Sequence, residues 1–482
     1  MNRRHTLIAL GALAIATRAT AQLPSTTDTV AISLENAIEI AVGRSEEVRL
    51  AQSQVRLAEA QVGAARSAAL PQLDARLAYT RTFASPFASG GFTLPDSLRF
   101  EPDSTASLAE RVSYLERNAP LAGLGGLGSL FGNLPFGQEN AYTAVVSGSQ
   151  PIYAGGRVGA ALRIAREYLD AARLNLQEQT AEIELQVRAA YYRARLATEL
   201  VAISQAGLEQ AERFLRSERL RHSAGTGSEL DVLRAQVSVA NLQPQLIEAT
   251  NASEVATLDL KRLIDVPLPQ PVRLTSSLDV PSSIASIDST VAVTQVLSRR
   301  AAVAAQERQV AIRDAQVRLA RAGYLPSVSL SFNYGKQLFP SEIFRLNEEW
   351  RSDASATVSV SVPIFNGWRT RSEVAQAQVA ADQERLRLSQ LRETVAVAYQ
   401  RALGERERAR SSIQARELTV QQAQRVYDLT VLRYEQGLAS QLEVSDARLS
   451  LLQARTNLAQ AVADFYLANA NLARAIGAPM SP

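Results

Sequence analysis

Ser149–Arg157 reads SQPIYAGGR, and Ser361–Arg369, 212 residues later, reads SVPIFNGWR. Each stands at the head of a long stretch without proline, from 152 to 243 and from 364 to 478. At this offset Pro151 meets Pro363, Gly155 meets Gly367 and Arg157 meets Arg369. The register then holds without a gap through Gly225 and Gly437, Ser228 and Ser440, Ala235 and Ala447, Leu260 and Leu472, to Pro267 and Pro479. So long a constant register predicts an internal tandem duplication.

Upstream the offset becomes 255, pairing Arg44 with Arg299, Leu70-Pro71 with Leu325-Pro326 and Tyr79 with Tyr334. The first half therefore carries extra residues between Phe83 and Asn140, in a segment rich in Gly, Pro and Ser that reads as a long loop at a strand tip.

Each half follows one plan. Residues 33–66 and 290–321 show apolar positions at helical spacing, with no break stronger than Gly43. Strict alternation comes next. Leu73, Ala75, Leu77 and Tyr79 oppose Asp74, Arg76 and Ala78, while Val328, Leu330, Phe332 and Tyr334 oppose Ser329, Ser331 and Asn333. A period of 2 assigns these sets to opposite strand faces. The return strands carry Tyr142, Ala144 and Val146 in one half and Val358, Val360 and Val362 in the other. Strands are expected at about 71–83, 141–150, 326–335 and 354–364. A helix from Trp368 to about Gln436 would be roughly 100 Å long at about 1.5 Å per residue. Its Ala-rich faces with abundant Gln, Glu and Arg predict coiled-coil layers. Gly225 and Gly437 end the descending helices, Ser228 and Ser440 cap the returning ones, and Pro244, which has Thr456 as its counterpart, should kink the first of these.

Residues 1–21 read as a secretory signal peptide: a charged start, a short apolar run and small residues before Gln22. The first repeat then covers 22–268, a linker 269–289 and the second repeat 290–479. The chain holds 51 Lys and Arg against 48 Asp and Glu; losing Arg3, Arg4 and Arg18 makes the mature part neutral, so no nucleic-acid surface is expected. There is no cysteine, and beyond the signal only His222, at the helix tip, remains of the two histidines. Disulfides, thiol nucleophiles and His-pair metal sites are thereby excluded, and no cofactor is implied.

An exported chain without a spanning helix can cross a membrane only as strands. Four strands cannot close a barrel, since the smallest single-chain barrels have about eight. Copies must therefore associate, and three give twelve strands around an aqueous lumen. Tyr79 and Tyr334 fit an aromatic girdle or a subunit contact, and Trp368 an interfacial anchor.

As a set, the duplicated helix, Leu-Pro strand, return strand, Pro-Ile-(Phe/Tyr)-x-Gly-(Gly/Trp)-Arg turn, long helix and Gly-x-x-Ser turn resemble the TolC-like outer-membrane efflux proteins over nearly the whole mature chain. The resemblance implies a homotrimer with a twelve-stranded barrel, four strands per chain, in outer-membrane lipid, continuous with a periplasmic α-helical barrel. It implies docking to a periplasmic adaptor (membrane fusion protein) and, through it, to an inner-membrane pump, proton-driven or of the ABC type. It maps the family's gate tyrosine and constriction carboxylates onto Tyr434, Glu443 and Asp446, and the carboxylate on the neighbouring helix onto Asp231. Glu443 and Asp446 lie three apart, on one helix face, where threefold symmetry would make rings able to bind a cation transiently. Ala439 stands where the family often has a latch arginine. Gly225, Thr226, Gly437 and Leu438 resemble the tip residues that meet the adaptor. The competing readings are a periplasmic coiled-coil scaffold that never enters the membrane, and a hydrolase using the carboxylates at 443 and 446, for which no nucleophile motif, phosphate loop or metal cluster is present.

Overall fold

The computed structural model describes residues 29–84, 103–119, 139–280, 292–340, 342–347 and 349–477. The expected signal peptide, most of the segment between Phe83 and Asn140, the end of the linker and Pro479 lie outside these residues. Among the described residues the elements run β1 (Val30–Ile32), α1 (Leu34–Arg44), α2 (Glu46–Ser67), β2 (Gln72–Arg81), α3 (108–119), β3 (Asn140–Ala154), α4 (Arg157–Ser223), α5 (Glu229–Leu263), β4 (Val272–Leu274), α6 (Val293–Arg299), α7 (Ala301–Arg321), β5 (Ser327–Leu338), β6 (Arg351–Ser361), α8 (Arg369–Glu435) and α9 (Gln441–Ile476). Helices α4 and α8 have 67 residues each. Among the described residues no helix is long and apolar enough to cross a membrane.

The chain divides into two compact units, and each draws on both halves of the sequence. One comprises Leu57–Asp170 and Arg308–Leu386 and holds a four-stranded antiparallel sheet in the order β2-β3-β5-β6. Its strands have 10, 15, 12 and 11 residues, and about 9 to 11 tilted residues cross a bilayer. The register lines up the alternating sets. Leu73, Gly148, Phe332 and Ala356 form one row, and Ala75, Val146, Tyr334 and Ala354 the next. The intervening rows, such as Asp74, Ser147, Asn333 and Ser355, fall on the other face. One face is thus mainly apolar and exposed, with Leu77 at 85 % and Val358 at 67 %, interrupted by Lys336 and Ser352 in the row of Leu77, and the other is mainly polar. Strand β3 runs four residues beyond the expected 150, through an irregularity between Pro151 and Tyr153, because β5 supplies a partner there. Strand β6 ends at Ser361, short of 364, where no partner strand of the same chain lies beside it.

The other unit is built from residues up to Arg56, Ala171–Glu307 and from Arg387 onward. It contains two matching cores. Ala41, Val48, Ile183, Val187, Leu260 and Ile264 pack in one, and Val296, Val303, Val395, Tyr399, Leu472 and Ile476 in the other. Each residue of the second core lies 255 or 212 positions after its counterpart in the first.

The structure corrects the expectation of unbroken helices over 33–66 and 290–321. The chain turns at Ser45 and Arg300, not at Gly43. Ser45 leaves the helix with ψ 129, and its hydroxyl accepts from the Val48 amide and donates to Glu47. Arg300 instead reaches Glu178 at 2.8 Å. The linker holds the short strand β4, which pairs in parallel with β1, and Tyr191 ties the two by donating to the Ile32 carbonyl and accepting from the Ser276 amide. Helix α5 remains helical through Pro244.

Candidate functional site

The two turns at the ends of α4 and α8 are built alike. The Gly225 amide donates to the His222 carbonyl and the Thr226 amide to that of Arg221; the Gly437 amide donates to Tyr434 and the Leu438 amide to Arg433. This paired pattern needs a left-handed residue after the helix, and both glycines supply it, with φ of 74 and 75. Gly225, Thr226, Gly437 and Leu438 are all exposed. Three residues after each glycine a serine caps the returning helix: Ser228 caps α5 by accepting from the Leu230 amide, and Ser440 caps α9 by accepting from the Glu443 amide. Each turn thus holds its returning helix one short loop away from the end of the descending one.

Glu443 is more than a surface acid. Its carboxylate accepts from the Ser440 amide at 3.1 Å and from the Ser440 hydroxyl at 3.0 Å, completing a reciprocal capping box. The backbone and side-chain hydrogen bonds from Ser440, in that order, hold the Glu443 carboxyl below its ordinary value. Asp446, one turn on, is exposed and has no ion-pair partner among the described residues. Asp231 in the first turn of α5 faces Arg234 at 4.0 Å. Arg234 occupies the position that Asp446 holds in the second half, so one tip alternates its charges and the other repeats an acid.

Tyr434 is pinned between helices α4 and α8. Its ring lies 5.4 Å from that of Phe214, and the Arg221 guanidinium sits 4.9 Å above it. Glu218, only 1 % exposed, stands beside the phenol and 3.9 Å from Arg221. Burial, then the neighbouring Glu218 carboxylate, push the Tyr434 phenol well up from its ordinary value. Asp231 adds a smaller push in the same direction. The structure therefore gathers Tyr434 and Asp231 in one electrostatic neighbourhood, while no hydrogen bond or ion pair among the described residues joins Glu443 or Asp446 to Tyr434.

Phe214, Glu218 and Arg221 were not among the residues expected from sequence. The i,i+3 pairing of Glu218 with Arg221 was visible there, but its tyrosine partner lies more than two hundred residues downstream. Arg448 was also missed. It is buried, reaches the hydroxyls of Ser238 and Ser445, and burial lowers its pKa from the ordinary arginine value. His222 is exposed, with Nδ1 3.2 Å from the Gly227 carbonyl. No group of three or more metal-ligating side chains occurs among the described residues.

Comparison with known proteins identifies the family of the chain. The chain is 28% identical to the pyoverdine export outer membrane protein OpmQ of Pseudomonas aeruginosa over 70% of this chain and 70% of that protein. It is 25% identical to the cobalt-zinc-cadmium resistance protein CzcC of Cupriavidus metallidurans over 70% of this chain and 78% of that one. Its fold matches the open state of the MtrE outer membrane channel of Neisseria gonorrhoeae with a TM-score of 0.72, covering 92% of this chain and 89% of that one at 19% identity. The profile of the family described as outer membrane efflux protein matches residues 122–265 and 292–478. The chain belongs to the outer membrane efflux protein family.

Proposed function

We propose that this chain is the outer-membrane exit duct of a tripartite efflux or type I secretion system, passively conducting substrate from an inner-membrane pump, through a periplasmic adaptor, to the exterior. The observation that carries the reading is the four-stranded sheet, apolar and exposed on one face, polar on the other, and open at both edges β2 and β6. Open edges in lipid leave backbone groups unsatisfied at several kcal/mol each. Three copies close twelve strands, and the long helices of the tandem repeats 22–268 and 290–479 form a helical tunnel. The relatives are export components and channels, in keeping with a duct that performs no chemistry. A periplasmic scaffold has no use for a membrane-length apolar face.

In this reading the helix tips form the periplasmic entrance. Asp446, with Glu443 and Asp231, contributes acidic rings about the axis that attract and transiently bind cations. Tyr434, clamped by Glu218 and Arg221, holds α8 against α4, a closure that needs no arginine at position 439. The exposed turns at Gly225-Thr226 and Gly437-Leu438 receive the adaptor. Photo-crosslinking in cells from Thr226 and Leu438, followed by mass spectrometry, is expected to capture a periplasmic adaptor with its pump co-purifying. Capture of further copies of this chain alone, or of nothing, would contradict the docking assignment.

A further inference from the structure

Charge is sorted between the two ends of the sheet. At one end every strand joins a helix: α2 leads into β2, β3 into α4, α7 into β5 and β6 into α8. The twelve residues flanking each strand there, 60–71, 155–166, 315–326 and 362–373, contain eight arginines and one acid, Glu373. The segments of equal length beyond the other end, 82–93, 128–139 and 339–350, contain one arginine and four acids. In a mature chain with equal numbers of basic and acidic residues, so uneven a division calls for a partner at the helix end.

The chain itself supplies little countercharge there. All eight arginines are exposed. Arg163 and Arg369 each face a glutamate four residues on, Glu167 and Glu373, at 3.7 Å. Arg66, Arg157, Arg166, Arg318, Arg321 and Arg371 have no ion-pair partner among the described residues. Twelve residues of turn and helix reach roughly 15 Å from the strand ends at about 1.5 Å per residue. That span matches a headgroup layer of about 6 Å plus a screening length of about 10 Å.

Aromatic and aliphatic side chains are interleaved with these cations. Ile364 is 96 %, Phe365 74 %, Trp368 64 % and Tyr324 53 % exposed. Trp368 has φ 65, a left-handed backbone that costs a bulky residue strain, where the first half has Gly156 at φ 82. The Arg371 guanidinium lies 5.5 Å over its ring, and Phe365 meets it edge-on at 6.1 Å. Rings with one wet edge, beside long cationic side chains, suit the boundary between acyl chains and headgroups. A water-filled lumen would give no reason to expose them.

Resting on the membrane-barrel reading above, we infer that the arginines at the helix end form a collar that binds the phosphates of anionic phospholipid in the adjoining leaflet, with Trp368 seated among those headgroups. The collar fixes the depth at which the sheet sits and gives the two rims different lipid neighbours.

The two tryptophans, Trp350 before β6 and Trp368 after it, report on opposite ends of the sheet. The full chain is placed in phosphatidylcholine vesicles containing brominated phosphatidylglycerol or, separately, brominated phosphatidylcholine, and the quenching of tryptophan fluorescence is compared. In Trp350→Phe, which leaves Trp368 as reporter, the glycerol lipid should quench about three-fold more effectively. This preference should vanish at about 1 M salt, where screening acts within about 3 Å, and on addition of Arg66→Gln, Arg318→Gln and Arg321→Gln, exposed positions without ion pairs. In Trp368→Phe, which leaves Trp350, the two lipids should quench alike. Equal quenching of Trp368 by both lipids would overturn the collar. So would a preference that survives the three substitutions while they change the ion selectivity of the pore, since the arginines would then line the passage. Quenching of neither tryptophan by either lipid would place the chain outside the bilayer and overturn the membrane-duct reading itself.

Discussion

Ser440 and Glu443 form a reciprocal cap at the start of α9, where the proposed entrance lies. Each satisfies the other's backbone amide at the start of α9, where a helix leaves its first amides without partners. The Glu443 carboxyl is held below its ordinary value of 4.5, so its share of the cap is complete above that value and is lost as pH falls through the lower folded-state value. Ser440→Ala should cost about 1 kcal/mol of stability. Followed by the helical circular-dichroism signal on heating, the gap from wild type should be full at neutral pH and narrow in acid. An equal gap at both would show that the carboxylate takes no part. The Ser-x-x-Glu spacing was present in the sequence as a capping-box signature, but reading Glu443 as a gate residue obscured it. The clamp on Tyr434 was hidden for a different reason. Spacing reports neighbours along one helix, whereas Phe214, Glu218 and Arg221 meet the tyrosine from another helix.

At the scale of elements, the strands were the most legible part, because one period of 2 records both strand and face. Val146 and Ser147 are successive residues of β3 and lie on opposite faces, in the rows of Tyr334 and Asn333. Val146→Arg should destabilise the inserted protein by about 2–4 kcal/mol, the cost of an arginine on a lipid-facing strand near the bilayer midplane, and Ser147→Arg should be close to neutral. Urea unfolding in lipid vesicles measures both, and equal losses would contradict the face assignment. Less legible were the helix breaks at Ser45 and Arg300. There the helix-forming pattern continues while the chain turns to satisfy Ser45 through Glu47 and Val48, and Arg300 through Glu178 and the Arg474 carbonyl. Helix α3 lies where the surrounding Gly and Pro read as loop; at its start the Glu110 carboxylate accepts from the Ser107 amide and hydroxyl. The pairing of β1 with β4 was missed because three residues are too few to show alternation.

For the whole molecule, the sequence offsets of 212 and 255 join matching core positions even where side chains differ, as Val187 and Tyr399 do. In the proposed duct the assembled chains form a passage whose narrowest point is the acidic tip. Planar-bilayer conductance of the purified protein tests it most directly, with wild type compared with the Glu443→Ala, Asp446→Ala double variant. Wild type should give discrete steps of small conductance that divalent cations block from the helix-tip side, and the double variant larger, less readily blocked steps. Membrane-inserted protein that passes no current in either form, or a block unchanged by the double substitution, would contradict it.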